Sequence, residues 1–420
     1  MRLSHGLLCF ILCFILCFAG LFSVQADDWP RFLGPQYKGV SDETNLVSSI
    51  PAAGPDVLWR VDLGIGSSGV VVSEGTVYTL FQDDARQYVV ALDESSGDLK
   101  WKSGIADAYL NPQANGPRST PTVADDAVYV MTGEGILVSL ESDSGKIRWS
   151  VNTVSDPGVE PAQFGMSSSP LVYNDVVVVQ TVSEDGSIAG FSAESGVRKW
   201  VAGSPECGYA SPALLSLCGV RQIVAVTGAS VAGIVPQSGE LLWEHPFVTD
   251  FNCNTANPVL VDESSVLISA GENHGSVLLD VTESDDGWTA EERWSSLGKR
   301  SVLRAEWQTP VLLDGHLFGL DNVGAAGPIT NLVCVNAATG ESVWSKRRFG
   351  KSNLTLADGK LFMATIDGEL VIVNATMEGF REMARTEVLR MTRQAPVIAN
   401  GRLYLRDDKE VVCIDVRVKS

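Results

Sequence analysis

One short pattern restricts the fold of this chain more than any other feature: a small hydroxyl residue, then Gly, then Trp four positions after the Gly. It reads Ser96-Gly97-Asp98-Leu99-Lys100-Trp101, Ser144-Gly145-Lys146-Ile147-Arg148-Trp149 and Ser195-Gly196-Val197-Arg198-Lys199-Trp200, and again Ser238-Gly239-Glu240-Leu241-Leu242-Trp243 and Thr339-Gly340-Glu341-Ser342-Val343-Trp344. Trp59 precedes the set, and Trp294 follows an irregular turn around Asp286-Gly287. Successive Trp residues lie 42, 48, 51, 43, 51 and 50 residues apart. A period of that size is the length of a four-stranded propeller blade, and it marks a chain built of stacked units.

Each unit has the same internal grammar. A small polar residue precedes an apolar strand, a turn such as Asp125-Asp126 follows, and a second alternating strand completes a hairpin. A third strand ends in small-x-acidic, as in Ala91-Leu92-Asp93, and the Gly turn leads into the strand that carries Trp. Gly suits that turn because it takes positive φ without a Cβ clash. Cys334 and Cys413 occupy the same small slot, so packing accounts for both thiols.

First strands begin near Ser68, Thr120, Ser169, Ser211, Asn257, Thr309, Asn353 and Ala395, which makes eight units. The eighth runs out of chain after three strands, while the Trp59 strand has no unit of its own. Joining the two closes a ring and removes open sheet edges along the circuit. In the seventh unit Met383 falls where the others have Trp, a weakened repeat. The expected fold is all-β: an eight-bladed β-propeller of four-stranded antiparallel blades, with Trp59, Trp101, Trp149, Trp200, Trp243, Trp294 and Trp344 as docking residues.

These residues resemble the repeat family named for pyrroloquinoline quinone (PQQ) enzymes, whose blades share a small-x-Asp-x-x-Thr-Gly-x-x-x-Trp pattern. The resemblance covers about Asp56 to Val416 and implies a Trp strut between neighbouring blades. The segment Trp29-Pro30-Arg31-Phe32-Leu33-Gly34-Pro35, with Gly39-Val40 after it, is similar to the opening of secreted members common in planctomycete bacteria. The chain also looks like the periplasmic propeller of the outer-membrane β-barrel assembly machine, a scaffold without chemistry. Large quinone dehydrogenases with this repeat hold PQQ beneath an adjacent Cys-Cys disulfide and over a Trp, with Ca²⁺ bound by Glu and Asn and an Asp as base. No two mature-chain Cys are adjacent here, and those carboxylates do not map onto matching positions. A PQQ- and Ca²⁺-dependent alcohol or sugar dehydrogenase is therefore the alternative reading, with Trp307 as the aromatic that could lie under the quinone.

The N-terminus reads as an export signal. Arg2 supplies positive charge, Gly6 to Val24 is uncharged and apolar, and Val24-Gln25-Ala26 offers a cleavage point. The expected division is residues 1–26 as signal peptide, 27–52 as an N-terminal extension and 53–420 as the propeller. Retention as a membrane anchor is the alternative, because the apolar run is just long enough to span a bilayer. After cleavage no membrane span remains, and the location is periplasmic or secreted. Five Cys stay in the mature chain, an odd number with no Cys-x-x-Cys pair, and Cys207 with Cys218 is the nearest pair for a disulfide.

With 31 Lys plus Arg against 51 Asp plus Glu, the net charge of −20 argues against nucleic-acid binding. Gly64-Ile65-Gly66-Ser67-Ser68-Gly69 fits a dinucleotide fingerprint in letters only, since a strand rather than a helix follows it. His274 reads as a turn residue, and no zinc or nucleophile-elbow spacing occurs. What remains is geometry. Loops leading into the innermost strands ring one mouth of a propeller channel, so Arg118, Gln163, Met166, Tyr209, Asn254, Trp307, Gln308 and Arg393 are the expected ligand contacts. They mix aromatic faces, amides and guanidiniums, which suits a peptide, a saccharide or a protein partner. The expectation is a non-catalytic, monomeric scaffold or binding module in the cell envelope, with no metal and no cofactor.

Overall fold

A computed structural model describes residues 28–154, 158–324 and 329–419, so the signal segment, with the cleavage expected at Ala26, lies outside the described residues. Eight sheets are present. Blade 1 runs Val71–Ser73, Thr76–Gln82, Arg86–Asp93 and Leu99–Asp107, each strand antiparallel to the next. Blades 2 to 7 repeat this over residues 122–152, 171–202, 213–246, 259–297, 311–346 and 352–387. Blade 8 takes Val397–Ala399, Arg402–Arg406 and Glu410–Asp415 from the C-terminal end, and its fourth strand, Asp56–Asp62, from the N-terminal end. The ring closes through its own two ends, as the repeat predicts.

Burial follows position within a blade. Second strands such as Val176–Gln180 are buried throughout, because both sheet faces meet neighbouring blades. Outer strands such as Ile147–Asn152 alternate between exposed and half-buried residues, since only one face is covered. The β-branched residues that dominate the inner strands suit a pleated, packed surface.

The Trp residues dock between blades. An imaginary Cβ on Gly97 would lie 2.9 Å from the Trp59 ring, and those on Gly145, Gly196, Gly239 and Gly340 would lie 2.4 to 2.7 Å from Trp101, Trp149, Trp200 and Trp294. Each indole therefore rests on the Gly turn of the following blade, where no side chain fits. All five glycines also have φ between 69° and 76°, which L side chains rarely adopt. The indole N–H of Trp59, Trp101, Trp149, Trp294 and Trp344 donates to a carbonyl of the next blade at 2.8 to 3.0 Å. Trp243 differs: blade 5 replaces the tight turn with the long hairpin 275–297, and this indole donates to Gln222 Oε1 of its own blade at 2.6 Å.

Strand register explains the thiols and corrects the reading of blade 7. Opposite Trp59, Trp101, Trp149, Trp200, Trp243 and Trp344 stand Cys413, Ala91, Ser139, Gly190, Gly233 and Cys334, all small. A one-residue bulge precedes each Trp. In blade 7 the same bulge falls on Met383, so Ala384 holds the Trp position and faces Ile372. The large and small partners have exchanged strands. Cys207 and Cys218 are both free: Cys207 is buried beside Gln180, and Cys218 sits in a hairpin turn at φ 52°, its Sγ donating to Val281 O.

Residues 29–41 cross the ring beneath the inner strands. Trp29 exchanges two backbone hydrogen bonds with Val72 of blade 1, and Pro30 O accepts from Val123 N of blade 2. A turn at Leu33-Gly34 and a second at Gly39 redirect the chain, with Tyr37 buried against blades 3 and 4. Val40–Ser41 then adds a parallel strand to the inner edge of blade 7.

Candidate functional site

A hydrogen-bond belt sets the geometry of the channel mouth. The amides of Gly69, Thr120, Ser169, Ser211 and Asn257 donate in turn to Thr120 Oγ1, Ser169 Oγ, Ser211 Oγ, Asn257 Oδ1 and Thr309 Oγ1, at 2.9 to 3.2 Å. Each link joins one blade to the next. The residue before each belt position turns back into its own blade, where Oγ of Ser68, Ser119 and Ser168 accepts from the amide of Leu80, Met131 and Gln180. With these two positions engaged, the residue two before the belt is left to face the channel. Those residues are Ser67, Arg118, Ser167, Tyr209, Thr255, Trp307, Lys351 and Arg393, one per blade.

All but Lys351 line a cavity of about 370 Å³ together with Phe32 and Leu33 of the crossing segment, while Lys351 lines a small adjoining pocket beside Trp307. Arg118 lies over the Tyr109 ring and donates to the carbonyls of Phe164, Ala114 and Gly116. Burial lowers its pKa, and its side-chain hydrogen bonds among the described residues go to carbonyls. Lys351 Nζ and Arg393 Cζ lie 4.0 and 4.9 Å from the centre of the Trp307 ring. Lys351 also pairs with Glu306 at 3.1 Å, yet burial still pushes that carboxyl above its usual range. Tyr209, pushed up to about 12 by burial, packs its ring on Phe164 and accepts from the Phe164 amide. Three buried atoms of cavity-lining residues have no hydrogen-bond partner among the described residues: Glu306 Oε2, Asn257 Nδ2 and Arg118 Nε.

Of the residues expected at the mouth, Arg118, Tyr209, Trp307 and Arg393 line this cavity. Gln163 is exposed on the rim, where its carbonyl accepts from Asn111 Nδ2. Three placements need correction. Met166 is buried in the packing between blades 2 and 3. Asn254 is buried too, its amide spent on Thr227 O, Phe247 O and Thr249 Oγ1. Gln308 turns inward and caps the Leu320 amide, the role Ser168 has in blade 3. Sequence reading missed Ser67, Ser167, Thr255, Lys351, Glu272 and Glu306, although the fixed offset from the belt residue marks the first four. His274 is a turn residue as expected, its amide donating to Gly271 O and its ring edge-on to Phe247.

The alternative dehydrogenase reading needs PQQ with Ca²⁺, and the cavity residues do not fit that pair. Two cations already cover the Trp307 ring, and Glu306 is engaged by Lys351. No two mature-chain cysteines adjoin in sequence, and the described residues hold no cluster of three His, Cys, Asp or Glu side chains suited to a metal.

Known proteins give a consistent picture of the fold. The chain is 21% identical to the outer membrane protein assembly factor BamB of Shewanella oneidensis over 371 residues, covering 84% of this chain and 76% of the relative. It is 24% identical to the Yersinia pestis protein of the same name, over 71% and 73% of the two chains. Among solved structures, a quinohemoprotein alcohol dehydrogenase from Comamonas testosteroni superposes with a TM-score of 0.67 at 16% identity, covering 94% of this chain and 81% of that one. BamB from Moraxella catarrhalis superposes with a TM-score of 0.59 at 16% identity, over 87% and 98%. At such identities both superpositions speak for the propeller alone. Membership is carried by the sequence profile of the family described as outer membrane protein assembly factor BamB: it matches residues 43–162, 85–322 and 292–417, and the chain belongs to that family.

Proposed function

We propose that this protein is an exported, non-catalytic propeller that serves outer membrane protein assembly as a scaffold, holding a segment of a protein partner at the channel mouth. The observation that carries this reading is the cavity itself. It draws lining residues from all eight blades, with the guanidiniums of Arg118 and Arg393 as donors and the carboxyl of Glu306 as acceptor, and with Phe32 and Leu33 adding apolar surface. A peptide offers both kinds of partner along its backbone. The aromatic faces of Tyr209 and Phe164 and the apolar floor supply the burial that gives such contacts their affinity. The names of the family and of the relatives in Shewanella and Yersinia point to the same process.

A photo-crosslinking residue at position 307 tests it in the cell that makes the protein. The expected result is a crosslink to a component of outer membrane β-barrel assembly, lost when Arg118 and Arg393 are both changed to Glu. A crosslink that survives both changes, or none at all, overturns the reading. Quinone-dependent alcohol oxidation by the purified protein with PQQ and Ca²⁺, accompanied by a raised melting temperature, would replace it with the dehydrogenase reading.

A further inference from the structure

The ring has one junction where the docking indole is missing. Blade 7 carries Ala384 at the register position of the Trp, and blade 8 has no Gly turn to receive one, because its third strand ends at Asp415 and its fourth begins separately at Asp56. The space is only partly refilled. Between Leu370 and Ile372 of blade 7 and Ile414 and Val416 of blade 8 lies a groove of about 320 Å³, walled by Val47 and Ile50 of the N-terminal extension. Its floor is apolar. Its charged rim is internally neutralised, with Lys419 on Asp56 and Arg417 on Asp415.

We propose that this groove is a docking site for a Trp side chain presented by a segment of another protein. The shape argument comes from the ring itself: at five other junctions an indole lies on the following blade in the equivalent place. The chain has ten Trp, and each already has a position: seven are the docking residues, Trp29 lies in the crossing segment, Trp288 packs beside blade 4 and Trp307 stands in the mouth. None is left to complete the seam from within, nor does a second copy have a spare one to offer. A neutralised rim selects for an apolar guest over a charged one. The site stands at the outer edge of the ring and does not depend on the reading of the mouth.

The test uses N-acetyl-L-tryptophanamide as probe and methyl NMR of the mature chain as readout. The methyl signals of Leu370, Ile372 and Ile414 are expected to shift saturably, with N-acetyl-L-leucinamide binding at least about tenfold more weakly. Ala384→Trp places an indole in the groove from blade 7 and is expected to abolish the shifts. Val47→Trp does the same from the wall without altering a blade, and decides the matter if the first variant does not fold. The proposal is overturned if the three methyls do not respond, if the leucine amide binds equally well, or if the shifts persist in a folded variant of either kind.

Discussion

Gly196 holds two constraints at once, a φ of 71° and an indole face where a Cβ would stand 2.6 Å from Trp149. Gly219 has a similar φ, 78°, with open space around it. Gly219→Ala therefore meets only backbone strain, about 1 kcal/mol, while Gly196→Ala must also displace the docked ring and is expected to cost about 2–4 kcal/mol. Urea unfolding of the two variants separates these contributions; equal losses would show that the indole does not rest on the turn. The buried thiols give a second residue-scale prediction. Burial pushes Cys207 and Cys413 up to about 12, and Cys253 and Cys334 up to about 11, from an ordinary value of 9.0. Above that ordinary value the unfolded chain loses thiol protons that the folded chain keeps, so the unfolded state binds fewer protons and stability falls as pH rises. The urea midpoint is expected to decline between pH 9 and 11, and a flat profile would contradict the burial of these groups.

At the scale of elements, the belt explains why hydroxyl residues open the first strands. Ser169 Oγ accepts from Thr120 N while its own amide donates to Ser211 Oγ, so one residue links three blades. Ser169→Ala leaves the Thr120 amide buried and unpaired, a loss of about 1–3 kcal/mol, whereas Ser169→Thr keeps the oxygen and restores most of it. The denaturant midpoint should shift with the slope unchanged. The same belt explains how much of the mouth was legible. Arg118, Tyr209, Trp307 and Arg393 were found as polar or aromatic residues ahead of a strand, but Met166, Asn254 and Gln308 look alike in a string of letters. Only the alternation imposed by two hydrogen-bonded positions separates those facing the channel from those facing the blade. Blade 7 carries the related lesson: counting from Gly379 selects Met383, and the bulge moves the register to Ala384.

For the whole molecule, the closing pair of strands is the place where a covalent link should tell. Asp62 and Glu410 are register partners across the seam. A disulfide between Asp62→Cys and Glu410→Cys would close a loop of nearly the entire domain, worth about 6 kcal/mol in chain entropy and roughly 7 °C in melting temperature. Reduction should return the unlinked value, and failure of the pair to oxidise would place the seam elsewhere. By itself the sequence determined the eight units, their four-strand grammar, the docking role of the indoles and the joining of the two ends. All of these arise from spacing within one blade length or from a count of strands, and local periodicity records both. Tertiary structure alone decided three things. The crossing segment brings Phe32 and Leu33 into the channel lining, the hydrogen-bond belt settles which loop residues face the mouth, and the seam between blades 7 and 8 is left without an indole. Each depends on parts of the chain far apart in sequence meeting in space, and no pattern along the chain encodes which partner a side chain will find there.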